Sequence, residues 1–377
     1  MNSKAFQFFV LLAVCTLLVG APLIGVWAAH HDLAPYLQFP PAPKTEWSVS
    51  FSIIAFIALA LAVVIPALVF DDRVIRHRKK LEPDLPPAKR FPWWGWAGLA
   101  LGLVAWVLAW TRFAWFAPCQ RYTFTPLWLA YILVVNGLTW RRTGGCLMTH
   151  LPLFFLLLFP LSAAFWWFFE WLNRFAQNWY YAGLGQLSAG EYIFFATLPF
   201  ATVLPAVLST SELLETLPRS AAGLDRYAIV KIARPKLAAG IALAIGTLGL
   251  ALIGVWPDIL FPLLWLAPLA VLTAARVFLR RPTVFQGLPK GDWRRVYRLA
   301  VAGLICGFFW EMWNYFSLAK WLYDVPWVGR GKLFEMPVLG FAGYLPFGWE
   351  CAALGDWLAD LLPRPAVEPE APEEQAT

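Results

Sequence analysis

Apolar runs of about 18 residues, repeated along the chain, constrain the fold more than any other feature of this sequence. That length crosses a hydrocarbon core of about 30 Å. Inside lipid the backbone must satisfy its own polar groups, which leaves helices or a closed barrel. Ten helical spans are expected, at about residues 5–29, 49–70, 94–110, 124–140, 151–173, 192–209, 237–255, 259–279, 299–316 and 338–362. Composition agrees, with 60% hydrophobic and 14% charged residues against about 25% charged in a soluble domain. The expected class is an all-α integral membrane protein, two N-terminal helices followed by a tandem duplication of a four-helix unit.

Charge placement gives the orientation. With the N-terminus inside, seven of the 30 Lys and Arg (Lys44, Arg112, Arg121, Arg174, Lys320, Arg330 and Lys332) lie outside and the other 23 inside. This bias predicts a multi-pass protein of the cell inner membrane with both termini cytoplasmic. The first apolar run exceeds the usual core of a signal peptide and reads as an uncleaved span. The basic run D-D-R-V-I-R-H-R-K-K after the second span is a lipid-facing anchor, not a nucleic-acid patch. Five cysteines show no zinc spacing, and the four histidines fall at span ends or in loops. No metal, haem or other cofactor is expected. Membrane lipids are the expected partners, with an apolar small molecule as candidate substrate; the oligomeric state is open.

The last two-thirds of the chain repeats itself. F-T-P-L-W-L-A at 124–130 matches F-P-L-L-W-L-A at 261–267, and each is followed by a double arginine, Arg141-Arg142 and Arg280-Arg281. An aromatic helix holding Glu170 and Asn173, or Glu311 and Asn314, comes next, then W-Y-Y or W-L-Y, then Glu191 or Glu335, then L-P-F. The division is 1–92 (two N-terminal helices and a basic linker), 93–218 and 236–362 (the two repeats) and 363–377 (a disordered acidic tail). Four spans per unit give both copies one orientation, hence a pseudo-two-fold along the membrane normal. Small residues four apart, Gly98/Gly102 and Ala242/Gly246, suit close helix packing.

A carboxylate and an amide one turn apart in apolar helices form a stripe that lipid cannot satisfy. They must face the bundle interior or a water-filled cavity. Glu350 sits in G-F-A-G-Y-L-P-F-G-W-E, where three glycines and a proline favour a loosened helix; its counterpart in the first repeat is about Val203. The structural reading pairs these acids with Arg112, Arg121 or Arg174, and Arg174 stands at i+4 from Glu170. In the functional reading, a carboxyl in an apolar setting exchanges a proton near neutral pH. Glu191 and Glu335 read as structural carboxylates at helix starts.

The succession Glu311, W-L-Y, L-P-F-G-W-E resembles, over about 45 residues per repeat, the lycopene cyclase-type membrane domain. That resemblance implies protonation of a polyene by an early acid and a Pro-Leu-Glu-Glu segment. This chain has one glutamate four residues after Pro346 and no adjacent pair. The leading expectation is an intramembrane enzyme moving a proton on a lipid or isoprenoid-like substrate. Its candidate catalytic residues are Glu350, Glu311 and Glu170. Asn314, Asn173, Arg112, Trp310, Trp313 and Tyr344 are the candidate substrate-binding residues, with aromatic walls stabilising developing positive charge. A proton-coupled transporter and a non-catalytic assembly factor are the alternatives.

Overall fold

The computed structural model describes residues 4–41, 44, 48–81 and 89–363. The acidic tail from 364 and the linker segment 82–88 lie outside the described residues. Helices dominate, in the order α1 (Lys4–Ala28), α2 (Ala34–Leu37), α3 (Ile53–Arg78), α4 (Trp93–Trp110), α5 (Phe124–Thr143), α6 (Leu147–His150) and α7 (Pro152–Ala176). Then come strand β1 (Trp179–Ala182), α8 (Ala189–Phe200), α9 (Val203–Glu215), α10 (Pro235–Leu252), α11 (Pro257–Leu260), α12 (Leu263–Phe278) and α13 (Arg294–Tyr315). Strands β2 (Lys320–Tyr323), β3 (Lys332–Leu333) and β4 (Met336–Pro337) precede α14 (Tyr344–Leu361).

Seven helical units are long and apolar enough to cross a membrane: α1, α3, α4, α7, α8 with α9, α10 and α13. The count is eight if the 3₁₀ segment Ala114–Tyr122 and α5, which meet at 67°, form one span. Two of the ten expected spans fall outside it. α12 has 16 residues, about 24 Å of helix, and α14 carries Glu350, Asp356 and Asp360 in 18 residues. The loosened helix expected around Glu350 is also not seen. The chain forms a 3₁₀ turn over Val338–Gly343, and α14 then runs unbroken with Pro346 in its first turn. Proline is tolerated there because that turn's N–H groups lack helical acceptors in any case.

Glycines set the closest helix contacts. A Cβ on Gly98 would lie 3.1 Å from the Ala130 carbonyl oxygen, and one on Gly246 would lie 3.2 Å from that of Ala267. These contacts pack α4 on α5 and α10 on α12. On α13, Gly303 and Gly307 form a small-residue step against α14: Cβ atoms there would meet the Tyr344 carbonyl at 2.2 Å and the Tyr344 ring at 2.3 Å. Gly25 brings α1 against α10, where an added Cβ would sit 1.6 Å from the Ala251 oxygen. α3 stands at the edge with its apolar window unburied. It is held by its ends, through Ser52 N–H to the Trp327 carbonyl (2.9 Å) and Arg73 to the carbonyls of Gly223 (2.6 Å) and Arg226 (2.9 Å).

The segments holding W-Y-Y and W-L-Y are strands. β1 and β2 pair antiparallel, with Trp179 opposite Tyr323 and Tyr181 opposite Trp321. Alternation along a strand puts Trp179 and Tyr181 on one face of β1, and Trp321 and Tyr323 on one face of β2. Aromatic stacking follows the same exchange between the halves: Trp128 packs on Trp310 at 4.7 Å between centroids, and Trp265 on Phe169 at 4.8 Å.

Candidate functional site

Each Glu–Asn pair serves the strand that follows it. Asn173 donates to the Trp179 carbonyl (2.8 Å) and accepts from the N–H groups of Asn178 (2.8 Å) and Trp179 (3.3 Å). Asn314 donates to the Trp321 carbonyl (2.8 Å) and accepts from its N–H (2.9 Å). Both amides therefore fold the chain back at the end of a helix and fix where the strand's aromatic residues point. Asn314 is fully buried, so its side-chain polar groups need these partners.

The glutamates collect the donors so placed. Glu170 Oε1 accepts from Tyr181 OH (2.6 Å), Trp179 Nε1 (3.0 Å) and Trp166 Nε1 (3.2 Å). Glu311 Oε1 accepts from Tyr344 OH (2.6 Å), Tyr323 OH (2.7 Å) and Trp321 Nε1 (3.4 Å). Glu311 is fully buried, and its Oε2 has no hydrogen-bond partner. The two shells differ in one place. At the offset of 141 residues that matches the glutamates, Trp166 corresponds to Gly307. Around Glu170 an indole one turn back on the same helix takes that position; around Glu311 the position is a glycine, and the Tyr344 ring from α14 packs there. An indole N–H only donates, whereas a phenol hydroxyl both donates and accepts. Glu311 therefore touches two groups able to pass a proton on, and Glu170 one.

Those donors line a cavity of about 110 Å³. Its wall includes Trp166 from α7, Trp179 and Tyr181 from β1, Trp310 from α13, Trp321 and Tyr323 from β2 and Tyr344 from α14. Trp265, on α12, and Phe124 complete the aromatic surface. α8 adds Tyr192, Phe195, Ala196, Pro199 and Phe200, one helical stripe at i, i+3, i+4, i+7 and i+8. Its other side exposes Ile193, Phe194 and Leu198. Sequence reasoning passed over Tyr323, Tyr181, Trp179 and Trp321 as site residues, although the repeated W-x-Y had singled out those positions.

The remaining expected site residues are dispersed. Trp313 is buried against Trp128 with its Nε1 unpaired and does not line the cavity. Arg112 donates to the carbonyls of Ala109 (3.0 Å), Thr111 (2.8 Å) and Phe316 (2.6 Å), clamping the end of α4 to the end of α13. Arg174 turns from Glu170 to the carbonyls of Tyr36 (2.7 Å) and Gln38 (2.8 Å); aromatic donors, not the expected ion pair, satisfy Glu170. Glu350 is fully buried, and neither of its carboxyl oxygens has a hydrogen-bond partner. It lies six residues beyond Tyr344, about 9 Å along the helix. Glu191 closes a capping box with Ser188, and Glu335 pairs with Lys320. No cluster of metal-ligating side chains occurs among the described residues. Comparison of the chain with protein-family models, curated proteins and solved structures gave no match.

Proposed function

We propose that the chain is an intramembrane enzyme that moves a proton on a lipid or isoprenoid-like substrate held in the aromatic cavity. One observation carries this reading: a fully buried carboxylate, Glu311, is joined to the cavity by two tyrosine hydroxyls whose rings form its wall. Every contact runs toward Glu311 Oε1, the arrangement of a base. As the Tyr344 oxygen takes a proton from a substrate carbon, its own proton passes to Glu311; the reverse movement delivers one. Asn314 and the Gly303/Gly307 step hold the relay, and the aromatic faces stabilise positive charge developing on the substrate. Glu170, with two indole donors, is the weaker partner, and Glu350 is a second proton-holding group deeper along α14.

The architecture that goes with this reading has ten spans, with α12 and α14 completing the set, and two tandem four-helix units about a pseudo-two-fold. The matched Glu–Asn shells, the β1–β2 pairing and the exchanged stacking of Trp128 and Trp265 support it. The positive-inside bias supports a cytoplasmic-membrane protein with both termini inside.

The test is carbon-bound deuterium. Purified protein in lipid vesicles made from a total bacterial lipid extract is incubated in D₂O, and the lipids are analysed by mass spectrometry. We expect deuterium incorporation that does not wash out in H₂O and is lost in Glu311→Gln and in Tyr344→Phe. Incorporation unchanged in both variants overturns the assignment. A proton-coupled carrier is the second reading, favoured by the 67° break before α5 and the break between α8 and α9. It predicts solute movement driven by a pH gradient with no label on carbon.

A further inference from the structure

Of the three arginines weighed as partners of the buried acids, two are spent. Arg112 and Arg174 each hold two or more backbone carbonyls at 3.0 Å or less. Arg121 makes one long bond, 3.4 Å to the Leu184 carbonyl, and forms no ion pair among the described residues. A guanidinium carries five N–H donors and stays charged, so most of its capacity is unused. Arg121 is also part of the cavity wall, half-exposed, next in sequence to the exposed Tyr122. It is the cation in a wall that is otherwise aromatic and aliphatic. The carboxylate within its electrostatic reach, Glu191, is already engaged by the Ser188 N–H (2.9 Å) and hydroxyl (2.8 Å).

We propose that Arg121 binds the headgroup of the substrate, which is therefore an acidic amphiphile: an oxyanion, carboxylate or phosphate, on an apolar chain. This deepens the function proposed above and rests on the cavity being the substrate site. A volume of about 110 Å³ is well below the roughly 300–1,000 Å³ of pockets that enclose a whole ligand. It takes the carbons next to the head, while the rest of the chain runs out beside α8 into lipid. The headgroup at Arg121 then fixes which carbon reaches the Tyr344 and Tyr323 hydroxyls, making Arg121 a specificity-determining residue.

The experiment is tryptophan quenching in neutral detergent at pH 8, with 9,10-dibromostearic acid, the monophosphate of the same chain and the corresponding dibromo alcohol. The wild-type protein is expected to bind one or both acidic probes at least about tenfold more tightly than the alcohol, the contribution of one charge-assisted hydrogen bond. Which acid binds better separates a fatty-acid source from a phospholipid source. Arg121→Gln is expected to lose the preference while keeping the alcohol affinity, and Arg121→Lys to keep part of it. Equal binding of acid and alcohol by the wild type, or a preference surviving in Arg121→Gln, overturns the inference and leaves the cavity reading intact. No saturable quenching by any probe overturns both. Unchanged size-exclusion elution of Arg121→Gln shows that the variant is folded.

Discussion

Gly307 is where the surroundings of Glu311 differ from those of Glu170, and Gly307→Ala tests whether that difference matters. A Cβ there would lie 2.3 Å, 2.4 Å and 2.6 Å from three atoms of the Tyr344 ring, so the ring must move. Moving it costs about 1–3 kcal/mol of overpacking. It also breaks the 2.6 Å bond from Tyr344 to Glu311, about 1.5–3 kcal/mol for a hydrogen bond to a charged group. Alanine returns about 0.5–1 kcal/mol of helix propensity. The net expectation is a loss of about 2–5 kcal/mol, read by thermal or denaturant unfolding in micelles. Gly102→Ala is the internal control. Its Cβ would make ordinary contact at 3.4 Å with Ala130, so stability should hold or rise slightly. A double-mutant cycle makes the argument strict: in a Tyr344→Ala background Gly307→Ala should cost almost nothing, because the clashing ring is gone. Equal costs in the two backgrounds would refute the reasoning, as would a Gly307→Ala protein as stable as the wild type.

Other outcomes follow from the same geometry. Arg174→Gln and Glu170→Gln should couple by less than about 1 kcal/mol in unfolding measurements, because Arg174 bonds to Tyr36 and Gln38 and acts on Glu170 only through its charge; a larger coupling restores the ion pair. Gly25→Val should separate α1 from α10, seen as new cysteine-labelling or protease access along α1; unchanged access removes that contact from the account. Burial pushes the Asp324 carboxyl up, but bonds from Lys44 and Ser48 outweigh it and hold its pKa below the ordinary value. A depressed carboxyl stabilises above the unfolded pKa of about 3.9 and loses that contribution as pH falls through its folded value. Amide exchange around Ser48 and Asp324 should therefore be flat from pH 7 to 5, after correction for intrinsic rates, and rise below about 4. Lys44→Ala should remove most of that rise, and an identical pH response in Lys44→Ala would discard the pair as the cause.

How far the sequence could be read depended on the range of the interactions. Helical apolar segments are local, and nearly all appear where the apolar runs lie. The Glu–Asn spacing is local too, and it does mark the helix ends that carry the buried acids. The β1–β2 pair was not legible: each strand is four residues, and its partner lies about 140 residues away, so no local alternation announces it. Tyr344 was legible as a candidate, but its reach to Glu311 depends on Gly303 and Gly307 on another helix. The i+4 spacing of Arg174 from Glu170 allows an ion pair without requiring one. The carbonyls of Tyr36 and Gln38, between α1 and α3, compete for the same guanidinium, and they prevail.

Glu350 poses the sharpest remaining question, because its chemistry and its surroundings conflict. A carboxyl group with both oxygens buried and unpaired is costly to keep. A neutral polar group of the same shape costs less to bury than an ionised carboxylate. Glu350→Gln keeps the volume and removes the titration. We expect it to match or exceed the wild-type Tm, to bind the brominated amphiphiles normally, and to lose deuterium incorporation. The combination separates a proton-holding role from a packing role, since packing would show in Tm and leave turnover alone. Full incorporation by Glu350→Gln would confine the chemistry to Glu311 and its two tyrosines. A Tm lowered by several degrees would mean that the carboxyl has partners in the folded protein and that the cost of its burial is offset there.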